Sequence, residues 1–178
     1  MSAPIPLPDR VRRDPPCRGL PGLPLSIYWR RQRPASFPTA CHGELEFQYI
    51  RHGCGRYIIE GEACNFRNNT LIVIKPGEAH RLENANRMYL EKCCLLIPPK
   101  PFAAETAVLK PFVKLPRVTH LTRAESAQLE WILQGMDAEC KAGRADLQPV
   151  IRTYLKLFCG ASGFVGGFRI GSSVNIVD

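Results

Sequence analysis

Three side chains of this 178-residue chain, His42, Glu46 and His80, are of the types that hold a divalent cation. Two imidazoles and one carboxylate make a facial three-ligand site, a donor set that hard and borderline metals accept. The even spacing of His42 and Glu46 puts them on one face of a strand. His80 closes a PGEAH stretch at 76–80, where Pro76 and Gly77 mark a turn. The plainer alternative is that an interior arginine, Arg56 or Arg81, pairs Glu46 and that His80 satisfies a loop carbonyl. Other chemistry finds less support. Eight cysteines, at 17, 41, 54, 64, 93, 94, 140 and 159, contain no CxxC pair. Cys93 and Cys94 are adjacent on a strand-like run, so they face opposite ways and cannot share a metal. Without a secretion signal the thiols are expected to be reduced and mostly buried. His52, beside a turn glycine, and His120, ahead of the first helix, default to the surface. There is no GxSxG, and the glycine-rich GASGFVGGFRIGSS end lacks the strand-before, helix-after setting of a phosphate loop. No catalytic residue is assigned.

Short strands must carry these residues. SIYW (26–29) opens the series, and LEFQYI (45–50) alternates, with Leu45, Phe47 and Tyr49 on one face and Glu46, Gln48 and Ile50 on the other. His42 has the parity of Glu46. Gly53 and Gly55 supply a turn, RYII (56–59) returns, and EGE (60–62) is a tight hairpin with Gly61 at its tip. ACNF (63–66), a turn at Asn68 and Asn69, and the β-branched run TLIVI (70–74) follow. MYLEKCCLLI (88–97) ends at Pro98 and Pro99. Strands at such intervals predict an all-β sandwich or barrel.

The hydrophobic period then lengthens to that of a helix. Thr122 and Glu125 form a capping box, and Leu129, Ile132, Leu133, Met136 and Cys140 fall on one stripe. After Gly143, Asp146 is an N-cap candidate, and Leu147, Val150, Ile151, Tyr154, Leu155 and Phe158 repeat the pattern, with Pro149 tolerated in the first turn. Two such stripes after a complete barrel suit either packing onto it or a dimer surface; Leu129, Ile132, Leu133, Met136, Ile151 and Leu155 are the dimerisation candidates.

Residues 1–25 form a Pro/Arg-rich leader, expected to be extended and flexible. The net charge of +8 is concentrated there: residues 1–40 hold seven arginines against two aspartates, while 41–99 balance seven basic with seven acidic residues. A neutral middle argues against a nucleic-acid-tracking groove. No apolar run reaches the roughly 20 residues of a spanning helix, so no membrane partner is expected and the location expected is cytoplasmic.

In order along the chain, His42, Glu46 and Gly53 reproduce the later half of the first cupin motif, and Pro76, Gly77, His80 and Asn84 look like the second. With the two helices behind them, residues 26–159 resemble the effector-binding and dimerisation domain of AraC-type transcription regulators. The resemblance implies a mainly β fold: a cupin-type double-stranded β-helix, or jelly-roll barrel, over 26–99, a connector and two-helix dimerisation segment over 100–159, and a glycine-rich tail over 160–178. It implies that the barrel binds a small organic effector without metal or other cofactor, with His42, Glu46 and His80 as its polar contacts, in a homodimer. A metal-binding cupin is expected to carry a further His two residues before His42, where this chain has Ala40. The alternative is a small metal-dependent cupin enzyme, an oxygenase or isomerase, on those three residues. Regulators of this type read DNA through a separate C-terminal domain with two helix-turn-helix units, and nothing after Phe158 resembles one. DNA is therefore expected as a partner only through a domain absent from this chain, which reads as a truncated product, an isolated domain or a stand-alone sensor.

Overall fold

The computed structural model describes residues 12–13, 25–33, 37–83, 89–98, 116–143 and 147–163. Among the described residues ten strands precede two helices: β1 Arg12–Arg13, β2 Ser26–Gln32, β3 Ala40–Cys41, β4 Leu45–His52, β5 Gly55–Ile59, β6 Glu62–Phe66, β7 Thr70–Ile74, β8 His80–Glu83, β9 Leu90–Ile97, β10 Val118–His120, α1 Arg123–Ala142 and α2 Leu147–Gly163. The N-terminal segment expected to be a flexible leader, apart from β1 and Leu25, lies outside the described residues, as do Asn84, Asp146 and the tail beyond Gly163.

The strands form two five-stranded sheets, β1-β3-β8-β5-β6 and β10-β7-β4-β9-β2, whose ladders are antiparallel except for β1 on β3. The chain crosses repeatedly between them, giving the cupin-type jelly roll, mainly β with two C-terminal helices. The hairpin at Glu60 and Gly61 has both residues at positive φ, 51° and 79°, the pattern of a two-residue turn that follows strand twist. Asn69, at φ 59°, makes the left-handed turn ahead of β7.

Alternation along β4 sorts the side chains into two cores. Phe47, Tyr49, Leu71, Val73, Cys93 and Leu95 point out of the second sheet and are covered by Leu129, Ile132, Leu133, Met136, Ile151, Leu155 and Phe158 of the helices. Phe158 stands edge-on to Phe47 at 4.9 Å between ring centres, and the Tyr49 hydroxyl meets Ser126 Oγ at 2.6 Å. On the opposite face Ile50, Ile59, Phe66, Ile72, Ile74, Leu82 and Leu90 fill the space between the sheets. Thr122 caps α1 in a complete capping box with Glu125, and Gly143 at φ 62° ends it. The two helices touch where Gly135 admits Tyr154: a Cβ there would lie 2.6 Å from the tyrosine hydroxyl.

Several expectations change in detail. All six dimerisation candidates are buried against the chain's own sheet, so their apolar stripes serve intrachain packing. What the helices leave exposed is Trp131, 63% accessible, and Leu157, with Tyr154 beside Trp131 at 6.4 Å between rings. β10 joins β7, so the segment just before α1 completes a sheet. The second helix runs on through Gly160 to Gly163, because a glycine-rich turn docked by Leu155 and Phe158 costs only about 1 kcal/mol per glycine. Of the six described cysteines, all reduced, Cys93, Cys94 and Cys140 are buried and Cys41, Cys54 and Cys64 are half-buried.

Candidate functional site

His42, Glu46 and His80 converge between the sheets. His42 sits in the loop before β4, whose carbonyl accepts from the Gly77 N–H at 2.8 Å, and this bond holds the loop beside the Pro76–Gly77 turn. Gly77, at φ 83°, allows that turn. His80 is the first residue of β8 rather than part of the turn, paired with Ala40 on one side and Ile59 on the other. Glu46 projects inward from β4, opposite Ile74 and Leu96.

The Glu46 carboxylate organises the cluster. Its Oε2 lies 2.8 Å from His42 Nε2 and 3.4 Å from His80 Nε2, while its Oε1 accepts from Gln48 Nε2. The imidazoles meet edge to face at 5.0 Å. Each side chain is less than a tenth exposed. Burial alone would raise the Glu46 pKa; the His42 hydrogen bond, with the charges of His80, His42 and Lys92, outweighs it and holds the carboxyl below its ordinary range. Arg56 and Arg81 do not take part, since both bind Glu83, at 2.6 and 2.9 Å. His80 does satisfy a loop carbonyl, Glu78 O, through Nδ1 at 3.0 Å, and this leaves Nε2 facing the interior.

A polar strip continues inward. Gln48, Cys94 and Tyr28 are direct cross-strand neighbours on β4, β9 and β2. Cys94 Sγ donates to Gln48 Oε1 at 3.0 Å, and burial pushes the Tyr28 hydroxyl and Cys94 thiol pKa values up. One strand step deeper, Lys92 donates to the Tyr57 hydroxyl at 3.0 Å. Burial drives Tyr57 up to about 12 against the lowering effect of Lys92. Gln48, Tyr57, Lys92, Tyr28 and Cys94 escape the sequence reading as site residues. Gln48 has the parity of Glu46, a signal the sequence carries; placing Lys92 requires the register of β9 on β4. The remaining histidines stay apart. His52 is exposed at the end of β4, and His120, exposed in β10, meets Thr70 Oγ1 at 3.0 Å through Nδ1.

The arrangement is a buried line of fixed donors and acceptors beside apolar side chains, of the kind that orients a small polar molecule. Residues 25–147 match the AraC-like ligand binding domain. The chain belongs to that family. Among solved structures, the AraC-like domain is similar to a predicted oxalate decarboxylase from Thermotoga maritima (26% identity, TM-score 0.39), over 40% of this chain and 64% of that one, less than two thirds of its length. It is also similar to plu4264 protein from Photorhabdus luminescens (21%, TM-score 0.42, covering 53% and 79%) and to a Cupin 2 conserved barrel domain protein from Salinispora arenicola (17%, 0.41, 48% and 71%). No curated protein is significantly similar to the chain. No helix among the described residues is long and apolar enough to cross a membrane.

Proposed function

We infer that this AraC-like domain is the ligand-sensing, dimerising part of a transcription regulator in the cytoplasm, binding a small organic effector between its sheets. The observation that carries this reading is the polar strip from His42, Glu46 and His80 through Gln48 to Cys94, buried beside the apolar cluster between the sheets. Ordinary cores avoid buried polar groups because each must be matched, so a connected row of them is costly unless it recognises something. The effector acts by preferring one of two arrangements of the barrel and helices, which a DNA-binding domain attached to this one reads as a change in spacing. Dimerisation uses the outer face of the helices, where Trp131, Tyr154 and Leu157 leave an apolar patch. The test is a metabolite-library thermal shift on wild type and Gln48→Leu: a compound that raises the melting temperature of wild type alone supports the reading. Equal shifts in both proteins count against it.

A second reading rests on the same three residues. The offered atoms of His42, Glu46 and His80 lie within 4.8 Å of one another, and the Glu78 carbonyl fixes the His80 ring with Nε2 inward, as the outer shell of a metal ligand does. These residues would hold a divalent cation, which supplies Lewis acidity when bound. Under this reading the chain is a small metal-dependent enzyme.

A further inference from the structure

We propose that the buried Lys92 ammonium, with the Tyr57 hydroxyl, is an anion-recognition subsite, and that the effector is a small organic acid with an apolar body. The proposal rests on the effector-binding reading above and names the chemistry that the deep end of that site selects. Lys92 is only 7% exposed. An ammonium carries three N–H donors. Among the described residues this one makes a single hydrogen bond, to Tyr57, and no carboxylate stands within ion-pairing distance of it. The anionic side chain nearest along the strip, Glu46, is already engaged by His42, His80 and Gln48. A fixed buried cation with unmet donors is costly alone and favourable to a partner that brings an acceptor of opposite charge.

The surroundings set the class of anion. Ile50 is the cross-strand neighbour of Lys92, and Ile72, Leu90, Phe66 and Leu82 complete an apolar wall. On the other side of Lys92, Arg30 pairs with it across β2 and lies exposed over the Tyr28 ring at 4.7 Å, a second cation on the same face at the sheet edge. One buried cation, one neutral hydroxyl and an apolar wall match a monocarboxylate. A phosphate dianion needs more donors and finds no counterpart for its remaining oxygens. In this arrangement the carboxylate takes the two free Lys92 donors and the Tyr57 hydroxyl, the body lies along the isoleucine wall, and the Glu46 end reads any distal hydroxyl or amide.

Calorimetric titration of the full chain with benzoate and hexanoate, against benzamide, hexanamide and inorganic phosphate, tests this. The expected result is binding of the acids with amides and phosphate at least roughly tenfold weaker. Lys92→Met, which removes a buried charge at similar volume and so retains a cooperative melt, loses roughly ten- to hundredfold in acid affinity. Tyr57→Phe loses less, in the same direction, and serves where Lys92→Met does not fold. Acid binding unchanged in either folded variant, amides binding as well as acids, or no acid binding at all overturns the proposal. If amides bind and Gln48→Leu abolishes it, the effector site stands and only the assignment of an acid fails. If Lys92 serves only to balance Glu46, Lys92→Met lowers stability, Glu46→Gln restores it, and acid binding does not change.

Discussion

At the scale of single residues, Gly53 illustrates how much backbone geometry lies behind one motif position. It sits at φ 119°, and a Cβ there would stand 3.0 Å from Leu90 Cδ1 and 3.1 Å from the Tyr89 carbonyl, while its N–H donates to Asn68 at 2.7 Å. Gly53→Ala is therefore expected to cost about 1–3 kcal/mol, measured by urea denaturation, against less than about 0.5 kcal/mol for Gly43→Ala, where a Cβ meets nothing. Glu83 gives a pH-dependent counterpart. Hydrogen bonds from Arg81 and Arg56 hold its carboxyl below the ordinary value. Its contribution is thus present above the unfolded carboxylate pKa and is lost as pH falls through the lowered folded value. Glu83→Gln should therefore lower stability modestly at neutral pH and flatten that acid limb, the two stability profiles converging as pH falls below the lowered folded value. The even spacing of His42 and Glu46 is legible in the sequence, but the reason differs from the expected shared strand face: His42 lies in the loop before β4, and its carbonyl's bond from the Gly77 N–H holds that loop where the imidazole meets Glu46. That Glu46 answers to histidines and not to Arg56 or Arg81 is not legible, since β5 and β8 carry both arginines to Glu83 on the outer side. Lys92 is invisible for a related reason: among Glu91, Lys92, Cys93 and Cys94, only pairing with β4 decides which face is interior.

Among the elements, periodicity tells the truth about faces and little about partners. The stripes of α1 and α2 are plain in the sequence, yet the same apolar pattern suits a second copy or the chain's own sheet, and here the sheet takes it. Leu133→Ala, 1% exposed between α1 and the sheet, should destabilise by about 2–5 kcal/mol, and Thr122→Ala, which removes the side-chain half of the capping box, by about 1 kcal/mol. Chemical denaturation of both variants checks the ratio; equal costs would mean that the helices are held by their caps and not by packing. The long strands β4, β7 and β9 announce themselves through alternation or β-branched runs. β3, β8 and β10 are short and lack either signal: their residues become strands only because a neighbour offers an unpaired edge, a tertiary cause that local sequence cannot carry.

For the whole molecule, two sheets enclose a strip of buried polar groups while two helices seal the outer face of one sheet. This division leaves the helices' far side to carry the dimer surface proposed above. Trp131→Glu should halve the sedimenting mass if that patch joins two chains, with the barrel melt unchanged because Trp131 is already exposed. A dimer that survives the substitution would place the interface elsewhere. The interior strip is proposed to serve an organic ligand, and the rival occupant is a cation on His42, Glu46 and His80. Elemental analysis of protein purified without chelator tests it most directly. With an organic ligand in the strip, iron, manganese and zinc are expected well below one per chain, and the melting temperature is expected to be indifferent to added chelator. A stoichiometric metal that is lost in His80→Ala would contradict that proposal.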